Sequence, residues 1–247
     1  MSEREIWDSI YQKFQGFNEA DNAFYSRIIQ TISKFLGKEQ SMLEVGSGSG
    51  YLVSYFQNKN FLSVGLDRSL TPIKIASTVF GAKNLIIGDM FCLPFKDNSF
   101  DLVWNEGVIE HFKEPKNIQA CKEMARVSKK YVIVAVPSKN PIWLARKTIL
   151  KIINRWPYGY EESYSLSRLT KLFSKSGLKV LDIVGIRTMP PVKERKRLKD
   201  ILSLITLTLP VSSKSIGKLA RSSLEFESRH KTYARIFGYA IMAIGIK

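Results

Sequence analysis

Apolar residues recur along this chain in short runs rather than in long blocks. Runs rich in β-branched or aromatic residues stand at "SMLEVG", "FLSVGLD", "KNLIIGD", "FDLVWNE" and "KYVIVAVP", and each is four to eight residues of strand-like character. Between them the period lengthens to that of helices, over about 50–58, 69–80 and 115–128. Pro72 and Pro115 suit first helical turns, where a missing N–H costs nothing. Regular strand–helix alternation predicts a parallel sheet covered by helices on both faces. After the fifth strand the rhythm changes. "SLSRLTKLFSKSGLKVLDIVGI" predicts a helix that stops at Gly177 and a sixth strand, and "GYAIMAIGIK" a last one. Ahead of the sheet, the first 38 residues predict two helices broken near Gly16, the second ending at Gly37.

The run "MLEVGSGSG" poses the first chemical question. Gly46, Gly48 and Gly50 alternate with serines, a pattern unsuited to a strand interior because glycine packs no side chain and loses the most chain entropy. Placed between the first strand and the first helix, bare backbone lets a ligand sit against amides at a helix N-terminus. The spacing is G-x-G-x-G, with Tyr51 following, and not the G-x-G-x-x-G of dinucleotide binders. Its neighbours sharpen the reading. Asp67 closes the second strand, where a carboxylate can accept both hydroxyls of a ribose; Asp89 and Met90 close the third; Asn105 and Glu106 close the fourth. Four strand ends in a row each present polar groups at one rim, which points to a ligand containing a nucleoside.

Composition changes the picture in one respect. The 247 residues include 38 Lys and Arg against 22 Asp and Glu, a net charge of +16. Residues 139–155 carry five basic residues and no acid, and residues 187–235 carry twelve against four, so these stretches hold thirteen of the sixteen excess charges. Either they form a solvated surface, or they attract an anionic partner such as phosphate, lipid headgroup or nucleic acid. Cys92 and Cys121 make neither a disulfide framework nor a zinc pattern, and His111 and His230 are the only histidines, so no metal site is expected. The acidic start "MSEREIWDSI" lacks an apolar signal region, and no apolar run reaches the ~20 residues of a membrane span. The expectation is a cytoplasmic protein, with the option of peripheral attachment to a membrane.

"LEVGSGSG" and "GDMFCLPFKDNSFDLVWNEGVIEHF" resemble the class I S-adenosylmethionine-dependent methyltransferases of the small-molecule type, well over residues 42–136 and more loosely over 164–187 and the last strand. The resemblance implies a Rossmann-like, seven-stranded, mostly parallel α/β sheet with "GYAIMAIGIK" inserted antiparallel. It divides a single domain, 1–247, into an N-terminal helical cover (1–38), a cofactor-binding core (39–137) and two basic inserts (138–163 and 188–235) over the acceptor. It also implies site roles. Glu44 would orient the glycine turn and approach the methionine end of S-adenosylmethionine, while Gly46, Ser47 and Gly48 would contact its amino-acid part. Asp67 would hold the ribose with Arg68 beside the adenine, Asp89 and the Met90 backbone would read the adenine edge, and the Asn105 carbonyl would take the ammonium. The product would be S-adenosylhomocysteine.

The sulfonium is already activated, so alignment of a nucleophile behind the methyl group supplies much of the rate. A base is required only where the acceptor must lose a proton. His111 is the candidate catalytic residue by position; it equally suits a hydrogen-bonded turn that shapes the pocket. Tyr11 either closes over the cofactor or makes an aromatic core contact. Within "NPIWLARKTILKIINRW", Ile142, Ala145, Ile149, Ile152, Ile153 and Trp156 share one helical face, and Arg146, Lys147, Lys151 and Arg155 spread around another. Such a helix either lies in a membrane interface or packs as a lid with its charges in water. With the second apolar run, "LKDILSLITLTLP", it favours a hydrophobic or lipid-like acceptor. Two alternatives stand beside this: a nucleic-acid methyltransferase using the basic inserts, and a binding protein without catalysis. "NEGV" stands after the fourth strand in place of an Asn-Pro-Pro-aromatic motif, which weighs against base-amine methylation.

Overall fold

The structure is a computed structural model that describes residues 3–14, 19–37, 40–188 and 231–247. The expected break near Gly16, the run "LKDILSLITLTLP" and most of the second basic insert lie outside the described residues. Seven strands form one sheet: β1 (Ser41–Val45), β2 (Leu62–Asp67), β3 (Leu85–Ile87), β4 (Phe100–Glu106), β5 (Ser128–Pro137), β6 (Lys179–Thr188) and β7 (Gly238–Ile246). Their order is β3-β2-β1-β4-β5-β7-β6. β1 pairs in parallel with β2 and β4, and β4 with β5, while β7 runs antiparallel to both β5 and β6. The mostly parallel sheet with one inserted antiparallel strand is therefore as the sequence led one to expect.

Helices cover both faces, and the strands alternate between two cores accordingly. Leu43, Val45, Val103, Val132, Val134 and Val136 point to one side, where Ala120, Cys121 and Met124 of α5 (Lys116–Val127) and Leu169, Leu172 and Phe173 of α7 (Leu166–Lys175) meet them. Met42, Leu102, Trp104, Ile133 and Ala135 point to the other, against Ile28 and Ile32 of α2 (Glu19–Phe35) and Leu52 and Phe56 of α3 (Tyr51–Gln57). A strand buried on both faces needs apolar residues at successive positions, which explains why β1 reads as a continuous run and is buried throughout. The third strand is shorter than its sequence run. At the sheet edge only Leu85–Ile87 pair with β2, and Ile87 is exposed. Four further helices complete the described elements: α1 (Glu3–Gln12), α4 (Leu70–Thr78), α6 (Pro141–Ile152) and α8 (Lys231–Phe237).

Strand order reverses between β1 and β4, since β2 continues on one side and β5 on the other. The carboxyl ends of adjacent strands diverge at such a point and leave a crevice. There the chain turns through Gly46–Gly50 into α3, and a 3₁₀ turn, Ile109–His111, follows β4.

Candidate cofactor and acceptor site

A cavity of about 360 Å³ opens at this crevice, a size typical of small-molecule sites. Gly46, Asp67, Arg68, Asp89, Met90 and His111 line it, as do Tyr11 and Glu106, so eight of the residues singled out from sequence meet at one cavity. Glu44, Ser47, Gly48 and Asn105 are buried and do not line it. The Asn105 side chain donates to the Val45 carbonyl and accepts from the Ile109 amide, which joins the end of β1 to the 3₁₀ turn. Asp67 spans the glycine turn: Oδ2 accepts from Gly48 N at 3.0 Å and Oδ1 from Ser69 N at 2.9 Å. Asp89 uses Oδ1 to accept from Phe91 N at 3.0 Å, so its carboxylate closes a local turn at the cavity rim.

The three glycines serve three different contacts. At Gly46, with φ +75°, an added Cβ would lie 2.3 Å from Val108 Cγ2; at Gly50, with φ +66°, it would lie 2.4 Å from the Ala76 Cβ on α4. Gly50 thus permits close packing of α4 on the turn. Gly48 is covered by the Tyr11 hydroxyl, which would stand 2.0 Å from such a Cβ. Tyr11 therefore reaches the glycine turn from α1 and lines the cavity rather than filling a core. α1 is fixed by a hydrogen bond between Ser69 Oγ and Asp8, and that bond, with one from Thr71, holds the Asp8 carboxyl below its ordinary range.

The remaining wall is aromatic and was not legible in local sequence patterns. Trp7 stands edge-on to His111 at 5.1 Å between ring centroids and lies 6.0 Å from Tyr158. Phe112 and Tyr239 join them around the cavity. His111 Nδ1 lies 2.6 Å from the Tyr160 carbonyl. A carbonyl can only accept, so Nδ1 carries a proton. The Glu110 carbonyl accepts from Glu162 N at 2.9 Å, which ties residues 158–164 to the 3₁₀ turn a second time.

The amphipathic helix is oriented differently from its apolar periodicity. On α6, Trp143 and Lys147 turn inward, while Ile149 and Ile152, and Ile153 just beyond, are 56%, 74% and 49% exposed. The reason is an ion pair across fourteen residues: Lys147 Nζ donates to Glu161 Oε1 at 2.8 Å and to the Glu161 carbonyl at 2.6 Å, with both side chains buried. Glu161 in turn lines the cavity. Removing one partner strands a buried charge, so Lys147→Ala should lower stability by about 3 kcal/mol. The double replacement Lys147→Met with Glu161→Gln should recover most of that loss; urea denaturation curves at neutral pH measure both.

Carboxylates crowd the cavity floor. Glu106 is pushed up to about 7 by burial. Glu44 and Glu110 are raised well above the ordinary carboxylate range, first by burial and then by neighbouring acids. Asp67 is raised by burial, against the opposing effect of its backbone donors. Among the described residues, no group of three or more His, Cys, Asp or Glu is placed to hold a metal ion, and no helix is long and apolar enough to cross a membrane.

A sheet in this order with a glycine turn and an acidic strand end at its switch point defines an α/β protein of the methyltransferase fold. Residues 43–136, fewer than half of the chain, match the methyltransferase domain family, and over that span the chain resembles S-adenosylmethionine-dependent methyltransferases. It resembles a ubiquinone biosynthesis O-methyltransferase of Bartonella quintana, 26% identical over 65% of this chain and 68% of that one. An uncharacterised Methanocaldococcus jannaschii protein is 30% identical over 48% of this chain, and the match spans only 51% of that relative's length. A demethylmenaquinone methyltransferase of Renibacterium salmoninarum is 36% identical over 36% of this chain and 37% of its own. Among solved structures, a magnesium protoporphyrin IX methyltransferase of Synechocystis with bound S-adenosylhomocysteine superposes with a TM-score of 0.60 at 14% identity, covering 98% of this chain and 93% of the other. A Haloferax volcanii methyltransferase in complex with the Trm112 activator gives a TM-score of 0.66 at 18% identity, over 99% and 97%.

Proposed function

We propose that the protein transfers the methyl group of S-adenosylmethionine to a small hydrophobic acceptor that bears an ionisable hydroxyl. The observation that carries this is one cavity lined both by Gly46, Asp67 and Asp89 and by the rings of Trp7, Phe112 and Tyr158, with His111 packed against Trp7. The bound cofactor supplies an electrophilic methyl on sulfur. The rest falls to the chain. Asp67 accepts from the ribose hydroxyls, with Arg68 beside the adenine and Asp89 and the Met90 backbone at its edge. Gly46, Ser47, Gly48 and the Asn105 carbonyl serve the amino-acid end, and Glu44 supports the turn from below. Tyr11 and Trp7 close the cavity from α1 and keep water from the reacting groups. His111, with Nδ1 committed to the Tyr160 carbonyl, takes the acceptor's proton on Nε2 as the new bond forms.

Quinone-type acceptors of the relatives fit the aromatic lining, and such molecules partition into membranes. The exposed Ile149, Ile152 and Ile153 beside Lys151 and Arg155 offer a contact to an anionic bilayer that would present them. The cavity argues against a nucleic-acid substrate. Asp67, Asp89, Glu106, Glu110 and Glu161 outnumber Arg4 and Arg68 on its wall, the reverse of what phosphate neutralisation needs. A series of catechols with alkyl tails of increasing length, offered with methyl-labelled cofactor, tests the proposal. The expected result is a kcat/KM that rises with tail length; label transferred to RNA but to none of the catechols would overturn it.

A further inference from the structure

We propose that Glu106 is the residue by which this site distinguishes the cationic cofactor from its uncharged thioether product. The inference rests on the cofactor reading above. Glu106 ends β4 at the switch point and lines the cavity beside Asp67. Glu44 is 7% exposed, and its Oε2 has no hydrogen-bond partner among the described residues; Glu110, on the cavity wall, is 2% exposed, and its Oε2 has none among them either. In a chain of net charge +16, this is a pocket of acids left short of counter-charge.

The groups around Glu106 come from several elements, and His111 of the 3₁₀ turn lines the same cavity. Glu44 on β1, Asp67 at the end of β2 and the Tyr11 phenol on α1 interact with one another, and Glu44, Tyr11 and Glu110 all sense Glu106. Arg4 and Arg68 line the same cavity, while the positive charge of Lys147 is spent on Glu161. Burial raises Glu106 to about 7, so a positive charge placed in the cavity it lines would favour its ionised form. The cofactor's sulfonium, which the product lacks, would supply positive charge in this cavity, and Glu106 would then release its proton to solvent. Methyl transfer breaks the carbon–sulfur bond and leaves its electron pair on sulfur. The positive charge at sulfur is gone, the carboxylate loses its counter-ion, and reprotonation of Glu106 accompanies exchange of the product.

Isothermal titration of S-adenosylmethionine and S-adenosylhomocysteine in two buffers of different ionisation enthalpy at pH 6 tests this directly. Wild type should release about one proton with the first ligand and far less with the second, the number set by the shift between free and bound protein. Glu106→Gln should lose that difference, and its preference for the cationic ligand should fall about tenfold, the equivalent of one pKa unit. Glu106→Asp should restore both. Equal proton release with the two ligands, or an unchanged preference in Glu106→Gln, would overturn the inference. Binding of neither ligand to wild type would instead overturn the cofactor reading beneath it.

Discussion

Asp67→Ala is expected to reduce affinity for S-adenosylmethionine by about a thousandfold, the largest effect of any single replacement in the site. Two losses combine. A carboxylate that accepts from a neutral hydroxyl forms charge-assisted hydrogen bonds, worth roughly 1.5–3 kcal/mol each in a buried site. Asp67 also holds the glycine turn through Gly48 N and α4 through Ser69 N, so its removal leaves two amides without their acceptor. Fold stability should suffer less, because the apolar cores on both faces of the sheet lie away from this side chain. Equilibrium dialysis with labelled cofactor measures the affinity, and a thermal melt of the ligand-free variant separates binding from unfolding. Retained affinity within about threefold of wild type, well under one kcal/mol by the binding relation, would remove Asp67 from the site.

The second large effect is expected at His111. His111→Gln should lower kcat by about 10²–10³, the range of a lost general base, while cofactor affinity stays close to that of wild type. The Tyr160 carbonyl fixes the ring through Nδ1, and the Trp7 ring stands perpendicular to it, so orientation is set before the acceptor arrives. Glutamine preserves a polar contact in that place and has no basic lone pair. The defect should shrink with acceptors acidic enough to be ionised already, since these need no base. Single-turnover rates across a series of phenols read this out, and a defect that stays constant across the series would mean that His111 acts by shaping the pocket.

Legibility in the sequence followed the range of the interactions. β1, β2, β4 and β5 were readable because a strand buried on both faces must be apolar throughout, and the switch point because glycines and strand-end carboxylates mark it within a few residues. The antiparallel insertion of β7 was readable only through family resemblance, since neither β5 nor β6 is near it in sequence. Periodicity left the orientation of α6 open between a membrane-facing apolar side and a lid packed on the core. A partner fourteen residues away, Glu161, turns Lys147 inward and leaves Ile149 and Ile152 exposed. The aromatic wall was invisible for the same reason. Trp7 and His111 are joined by tertiary folding alone, and no local signal in "EREIWDSIYQ" says which element its tryptophan will meet. Gly50 was read with its neighbours as room for a ligand, and the structure gives it to Ala76.

The most direct test of the account is transfer itself. Purified protein, methyl-labelled S-adenosylmethionine and a fractionated cell extract should place label in the solvent-extractable, small-molecule fraction, and Asp67→Ala should remove it. Label found in RNA or in protein, and equally dependent on Asp67, would contradict the account and assign the acceptor site to a macromolecule.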